Sequence, residues 1–125
     1  MNEIALIFAA FFGATAIIFG AFGAHLLKKK LTVENLKSFE IGVKYQIYHA
    51  IILLILGFEF TTNTSLSNYI FLAFIIGTFL FSFSIYGLVI SSAINKKLSF
   101  LGPVTPLGGL FLVLGWGLLI YKFIF

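Results

Sequence analysis

The 125 residues are 61% hydrophobic and 10% charged, with a net charge of +4 carried by lysine alone and no cysteine. Ordinary globular chains are about 25% charged; a soluble domain this small could not bury so much apolar surface, whereas a bilayer can solvate it. The missing cysteine excludes disulfides, thiolate zinc sites and thiol catalysis. The lysines sit in short connectors, so the expected partner is a lipid surface and no nucleic-acid binding is expected.

In chain order, the uncharged run Ile4 to Ala24 supplies about 31 Å of helix, enough to cross the hydrocarbon core of about 30 Å. Within it Ala9, Gly13, Ala16, Gly20 and Ala24 form a small-residue seam that suits close helix packing. His25 closes this helix, and Lys28, Lys29 and Lys30 follow as anchors for anionic lipid and for topology.

The stretch LTVENLKSFEIGVKYQIYHA reads as one helix that starts in water and enters the membrane. Thr32 is placed as its N-cap, with Leu31 and Leu36 as a hydrophobic staple. Leu36, Phe39, Val43 and Ile47 form an apolar stripe, and Glu34, Lys37, Glu40 and Lys44 fall largely away from it. Gly42 is the expected place for any bend. The uncharged run from Tyr45 to Phe58 gives only about 21 Å of helix, so an end must be drawn inward or the bilayer thinned. Taking Lys44 as the hydrocarbon edge puts His49 within about 8 Å of headgroup level. Tyr45 and Tyr48 then serve as interfacial belt residues, and Glu59 ends the helix at the other interface.

After the lysine-free connector TTNTSLSN, a third helix carries Ala73, Gly77, Ser84 and Ser91 as a looser small-residue face. Ser82 and Ser84, with no base nearby, read as packing residues rather than nucleophiles. Lys96 and Lys97 mark its end. The segment Leu98 to Val104 either rests at the interface or dips in against the bundle, and the flanking lysines favour the interface. Thr105 and Pro106 fit an N-cap and first residue of a fourth helix.

The expectation is a single domain over residues 1–125: an all-α, integral membrane four-helix bundle with helices at about 4–25, 32–60, 68–91 and 105–123. An amphipathic cytoplasmic extension leads into the second helix. Seven lysines lie in the first and third connectors, while Lys122 alone lies at the opposite end. The positive-inside rule therefore puts the connectors in the cytoplasm and both termini outside.

Polar residues at the boundary of such a bundle are the candidate functional or structural cluster: His25, Tyr45, Gln46, Tyr48, His49 and Thr105. Two histidines from adjacent helices at similar depth read first as hydrogen-bonded helix-end residues, and alternatively as a proton relay or ligand site. Two imidazoles without a third protein ligand fall short of catalytic zinc, and neither metal nor cofactor is expected.

GAFGAHLL at 20–27, GVKYQIYHA at 42–50, FSFSIY at 81–86 and LGPVTPLGGLFLVLGW at 101–116 together resemble the small membrane proteins of uncharacterised protein family 0382, also called domain of unknown function family 423. The resemblance covers nearly the whole chain in order and implies a compact four-helix membrane protein. The family usually has a glycine where this chain has Phe83, and Glu59 lies outside the pattern. It implies no particular chemistry. The expected function is that of a non-enzymatic, partner- or lipid-binding membrane protein. A small oligomeric transporter or channel is the alternative, and a membrane enzyme acting on a lipid or quinone through the two histidines comes third. Membrane lipids are the expected partners, with a second copy or another membrane protein as further possibilities.

Overall fold

The computed structural model describes residues 1–125, apart from the side chain of Ala24. Four helices are long and apolar enough to cross a membrane, and no strand occurs among the described residues. We label them α1 (Asn2–Gly23), α2 (Val33–Glu59), α3 (Ser65–Ala93) and α4 (Val104–Ile124). α1 ends in a π-helical turn, Phe19–Gly23, and α3 contains another, Phe79–Phe83.

Helix boundaries follow local chemistry. Thr32 caps α2 by accepting from the Asn35 N–H at 3.1 Å, as its position predicts. Thr64 caps α3 in the same way through Ser67 at 3.2 Å. α3 ends in a Schellman turn: Asn95 takes the left-handed φ of 57°, and Lys96 N–H reaches back to Ser91 O at 2.9 Å. Asparagine tolerates that conformation because its short polar side chain bonds locally.

Neighbouring helices run antiparallel, each pair in a register set by small residues. Between α1 and α2, Gly57 faces Leu6, Gly20 faces Val43 and Gly23 faces Phe39. Between α3 and α4, Gly115 faces Phe74, Gly77 faces Leu112 and Gly108 lies on the backbone of Leu80 and Phe81. α2 and α3 form the centre, where 39% and 56% of the apolar windows are buried, against 22% for α1 and for α4 on the flanks. Since lipid is as apolar as leucine, such close approach and the contacts it brings hold the helices together. The expected α1 seam holds at Ala9, Ala16 and Gly20, but the buried face continues through Ala5 and Phe12. Gly13 has nothing within 4 Å of a would-be Cβ, so it contributes no close contact. Ala24, the last seam position, falls on the side chain outside the description.

Two further expectations change. α2 runs unbroken through Gly42, whose missing Cβ instead admits the Tyr86 ring, 2.8 Å from where that atom would stand. α4 begins at Val104, with Pro103 at the cap position and no side-chain cap. Thr105 sits inside the first turn, its hydroxyl 2.6 Å from Ser84 Oγ on α3. That bond sets α4's start about 13 Å back from the end of α3. The connector, with a 3₁₀ turn at Ser99–Leu101, accordingly folds back along α3 and seats Leu101 on Gly87. Because Phe39 meets Gly23 and Asn35 meets Ser92, the first turns of α2 and the last of α3 project past the ends of α1 and α4.

Candidate functional site

The polar side chains inside the bundle form several separate hydrogen-bonded groups, and the buried Thr78 hydroxyl has no partner among the described residues. Gln46, wholly buried, donates from Nε2 to Phe12 O at 2.9 Å and to Thr15 Oγ1 at 2.6 Å. Its Oε1 accepts from the Tyr86 hydroxyl at 2.6 Å, and Thr15 passes its own proton to Phe11 O at 2.8 Å. Three helices are thus joined through one amide. Ser82 donates to Gly42 O at 2.7 Å, which ties α2 to α3 one turn away. Ser82 and Ser84 are therefore both engaged in packing bonds, and neither faces a base.

His49, 5% exposed, has both ring nitrogens occupied. Nδ1 lies 2.7 Å from Tyr45 O; a carbonyl only accepts, so Nδ1 carries the proton. Nε2 is then the acceptor for the Trp116 indole N–H at 3.3 Å, while Phe74 packs against the ring at 5.5 Å. This triangle joins α2, α3 and α4.

The register sets where these residues stand along the bundle. Gln46 pairs with Phe12 and Thr15, near the middle of α1. His49 lies about 15 Å of helix short of Glu59, half the hydrocarbon thickness. As the Thr32 cap predicts, α2 begins at Val33, and it carries Glu40 and Lys44 on its exposed face. Both can reach back toward the lysine-bearing end along a helix whose side chains lean toward its N-terminus. Tyr45 and Tyr48 are 43% and 53% exposed, their rings 5.9 Å apart, at the same level of the bundle as Gln46 and His49.

Of the six candidate residues, Tyr45, Gln46, Tyr48 and His49 lie together, and His25 and Thr105 lie apart from them. His25 is exposed and follows Gly23, which is level with Phe39, about 15 Å of helix from His49. The two imidazoles cannot share a substrate atom. No group of three metal-ligating side chains occurs among the described residues. Thr15 and Tyr86 belong to the network and were not singled out from the sequence; a hydroxyl inside an apolar helix was the available signal.

Thr105 instead borders a cleft of about 670 Å³ at the lysine-bearing end, within the range of about 300–1,000 Å³ of ligand sites. The projecting turns of α2 and α3 form two sides, and the connector folded back before α4 forms the third. Asn35, Ser38, Ser92, Lys97 and Ser99 supply polar groups, and Ile41, Ile85, Leu88 and Val89 an apolar wall. Of the five lysines proposed as lipid anchors, only Lys97 lines it.

Residues 19–109 match the model of the family described as "Protein of unknown function (DUF423)". The chain is 36% identical over 108 residues to a UPF0382 membrane protein of Staphylococcus haemolyticus, covering 84% of each. It is 36% identical over 118 residues to the UPF0382 inner membrane protein YgdD of Escherichia coli K12, covering 92% of this chain and 85% of that one. A UPF0382 membrane protein of Staphylococcus aureus is 35% identical over 92% of this chain and 90% of its own length. No solved structure matches.

Proposed function

The chain belongs to the DUF423 family of membrane proteins, and we propose that it is a non-enzymatic lipid-binding member whose contact site is the cleft at the lysine-bearing end. The observation that carries this reading is the cleft's two-sided lining. A free lipid offers a polar head joined to an apolar body, and the cleft offers hydroxyl, amide and ammonium groups beside a continuous wall of Ile41, Ile85, Leu88 and Val89. The reading also draws on what the interior lacks among the described residues: Gln46, His49, Ser82 and Ser84 are each committed to hydrogen bonds that join helices, so none is left as an activated nucleophile or base. The five lysines of the first and third connectors, with Lys37 and Lys44 on the first turns of α2, orient this end to the cytoplasm, with both termini outside.

The test is photocrosslinking in membranes with a phospholipid carrying a diazirine on its acyl chain, followed by peptide mapping. Labelling concentrated around Ile41, Leu88 and Pro106 is expected. Labelling spread evenly over the exposed faces of α1 and α4, at Ile7, Ile17, Val113 and Ile120, would overturn the proposal. Proteoliposomes that moved protons, and stopped doing so with His49→Ala, would replace it with the transporter reading.

A further inference from the structure

We infer that the cleft selects an anionic phospholipid, whose phosphate is held between the Lys97 ammonium and the paired side chains of Asn35 and Ser92; this rests on the lipid-binding reading above. The residues lining the cleft include one lysine, exposed at its edge, and no carboxylate, so the charge of the lining favours an occupant that carries negative charge.

Hydrogen-bond donors converge beside that charge. Asn35 Nδ2 stands 3.5 Å from Ser92 Oγ, which uses at most one of the two amide hydrogens and leaves the serine O–H free to donate. Ser38 and Ser99 add two more hydroxyls to the same lining. The first turn of α4 borders the cleft through Thr105 and Pro106, and it has no side-chain cap because Thr105 is turned to Ser84. Its two N–H groups, at Val104 and Thr105 between Pro103 and Pro106, add positive potential on that side.

Lys97 is also held in place by backbone chemistry. The left-handed Asn95 reverses the chain after α3, Lys96 N–H bonds Ser91 O, and Leu98 N–H bonds Ser91 Oγ at 3.1 Å. Lys97 lies between those two anchored amides and lines the cleft, whereas Lys96 does not. An ordinary soluble anion would use the polar groups but would leave the wall from Ile41 to Val89 uncovered. An anionic phospholipid satisfies both halves.

The test uses the full chain, purified in detergent, with lipid retention read by native mass spectrometry for phosphatidylglycerol and phosphatidylcholine of identical acyl chains. One lysine near a membrane surface contributes roughly 1 kcal/mol toward anionic lipid, or about fivefold, so wild type should retain phosphatidylglycerol about fivefold better. Lys97→Gln should abolish that preference and leave phosphatidylcholine unchanged, while Lys96→Gln should preserve it. Ile41→Trp, at a position 44% exposed where bulk does not threaten folding, should weaken both lipids alike by filling the apolar side. Equal retention of the two lipids by wild type, still sensitive to Ile41→Trp, would overturn the anionic selection and leave lipid binding standing. Retention insensitive to Ile41→Trp would overturn both. Displacement of phosphatidylglycerol by millimolar inorganic phosphate would reassign the site to a soluble anion and overturn the inference.

Discussion

Gln46 shows what a single polar side chain does in a bundle that lipid surrounds. Its amide has three partners on two other helices, and replacing it with an apolar residue strands the Tyr86 hydroxyl where water does not reach. Gln46→Leu should therefore destabilise the protein by about 1–3 kcal/mol, the cost of a buried group left unpaired. Tyr86→Phe should cost less on its own, since it frees only one lone pair of the amide. The double variant should be more stable than the sum of the singles predicts, with a coupling of about 0.6–1.7 kcal/mol, the span measured for hydrogen bonds between membrane helices. Reversible unfolding in mixed micelles gives all four corners of the cycle; strict additivity would mean that the observed bond contributes nothing. His49 was read from the sequence as a boundary residue because Lys44, five positions earlier, looked like the membrane edge. Its partners across the bundle follow from the register of Gln46 against Phe12 and Thr15, which the local sequence around Lys44 does not encode.

At the scale of elements, α3 and α4 meet backbone against backbone. A Cβ on Gly108 would collide with the backbone of Leu80 and Phe81 in the π turn, whereas one on Gly109 would meet only Phe81 Cδ2 at 3.9 Å. Gly108→Ala should force the two helices apart and cost about 1–3 kcal/mol or more. Gly109→Ala should be neutral or slightly stabilising, because it lowers the helix's conformational freedom without a clash. Thermal unfolding of the two variants side by side checks this, and equal losses would mean that the approach at Gly108 is not what holds α4. The all-α membrane class was legible from hydropathy alone, since runs this long and uncharged have few other places to go. The Thr32 cap was legible from local chemistry. The π turns were not: FGAFG and FLFSF contain nothing that distinguishes i→i+5 bonding from the ordinary helix. Nor was the bond from Thr105 to Ser84, because Thr-Pro at a helix start has a good local explanation that tertiary contact overrides. Phe83, where the resemblance implies a glycine, packs its side chain between α3 and α1. Its ring lies 5.1 Å from Phe79 and 5.5 Å from Tyr86, filling the gap toward Phe19 of α1 at 6.2 Å.

For the whole molecule, the two ends differ in kind. One end projects, carries seven lysines and opens into the larger cleft; at the other, the Asn2 side-chain amide donates to the carbonyls of Gly57 and Phe60 beside a smaller cleft of about 320 Å³. Lys122, the lysine that opposes the charge rule, stands 4.8 Å over the Phe60 ring. A cation seated on an aromatic face is partly compensated within the protein, so its weight in deciding orientation is smaller than its full charge. The proposed topology therefore rests on seven lysines against a lysine that is already engaged, and the cleft can meet cytoplasmic-leaflet lipid only if that topology holds. Because the chain lacks cysteine, single replacements at exposed positions report without background. In intact cells a membrane-impermeant maleimide should label Thr62→Cys and spare Lys29→Cys and Lys96→Cys, and all three should react once the membrane is permeabilised. The reverse pattern would turn the cleft to the outside and remove the anionic cytoplasmic leaflet as the source of its lipid.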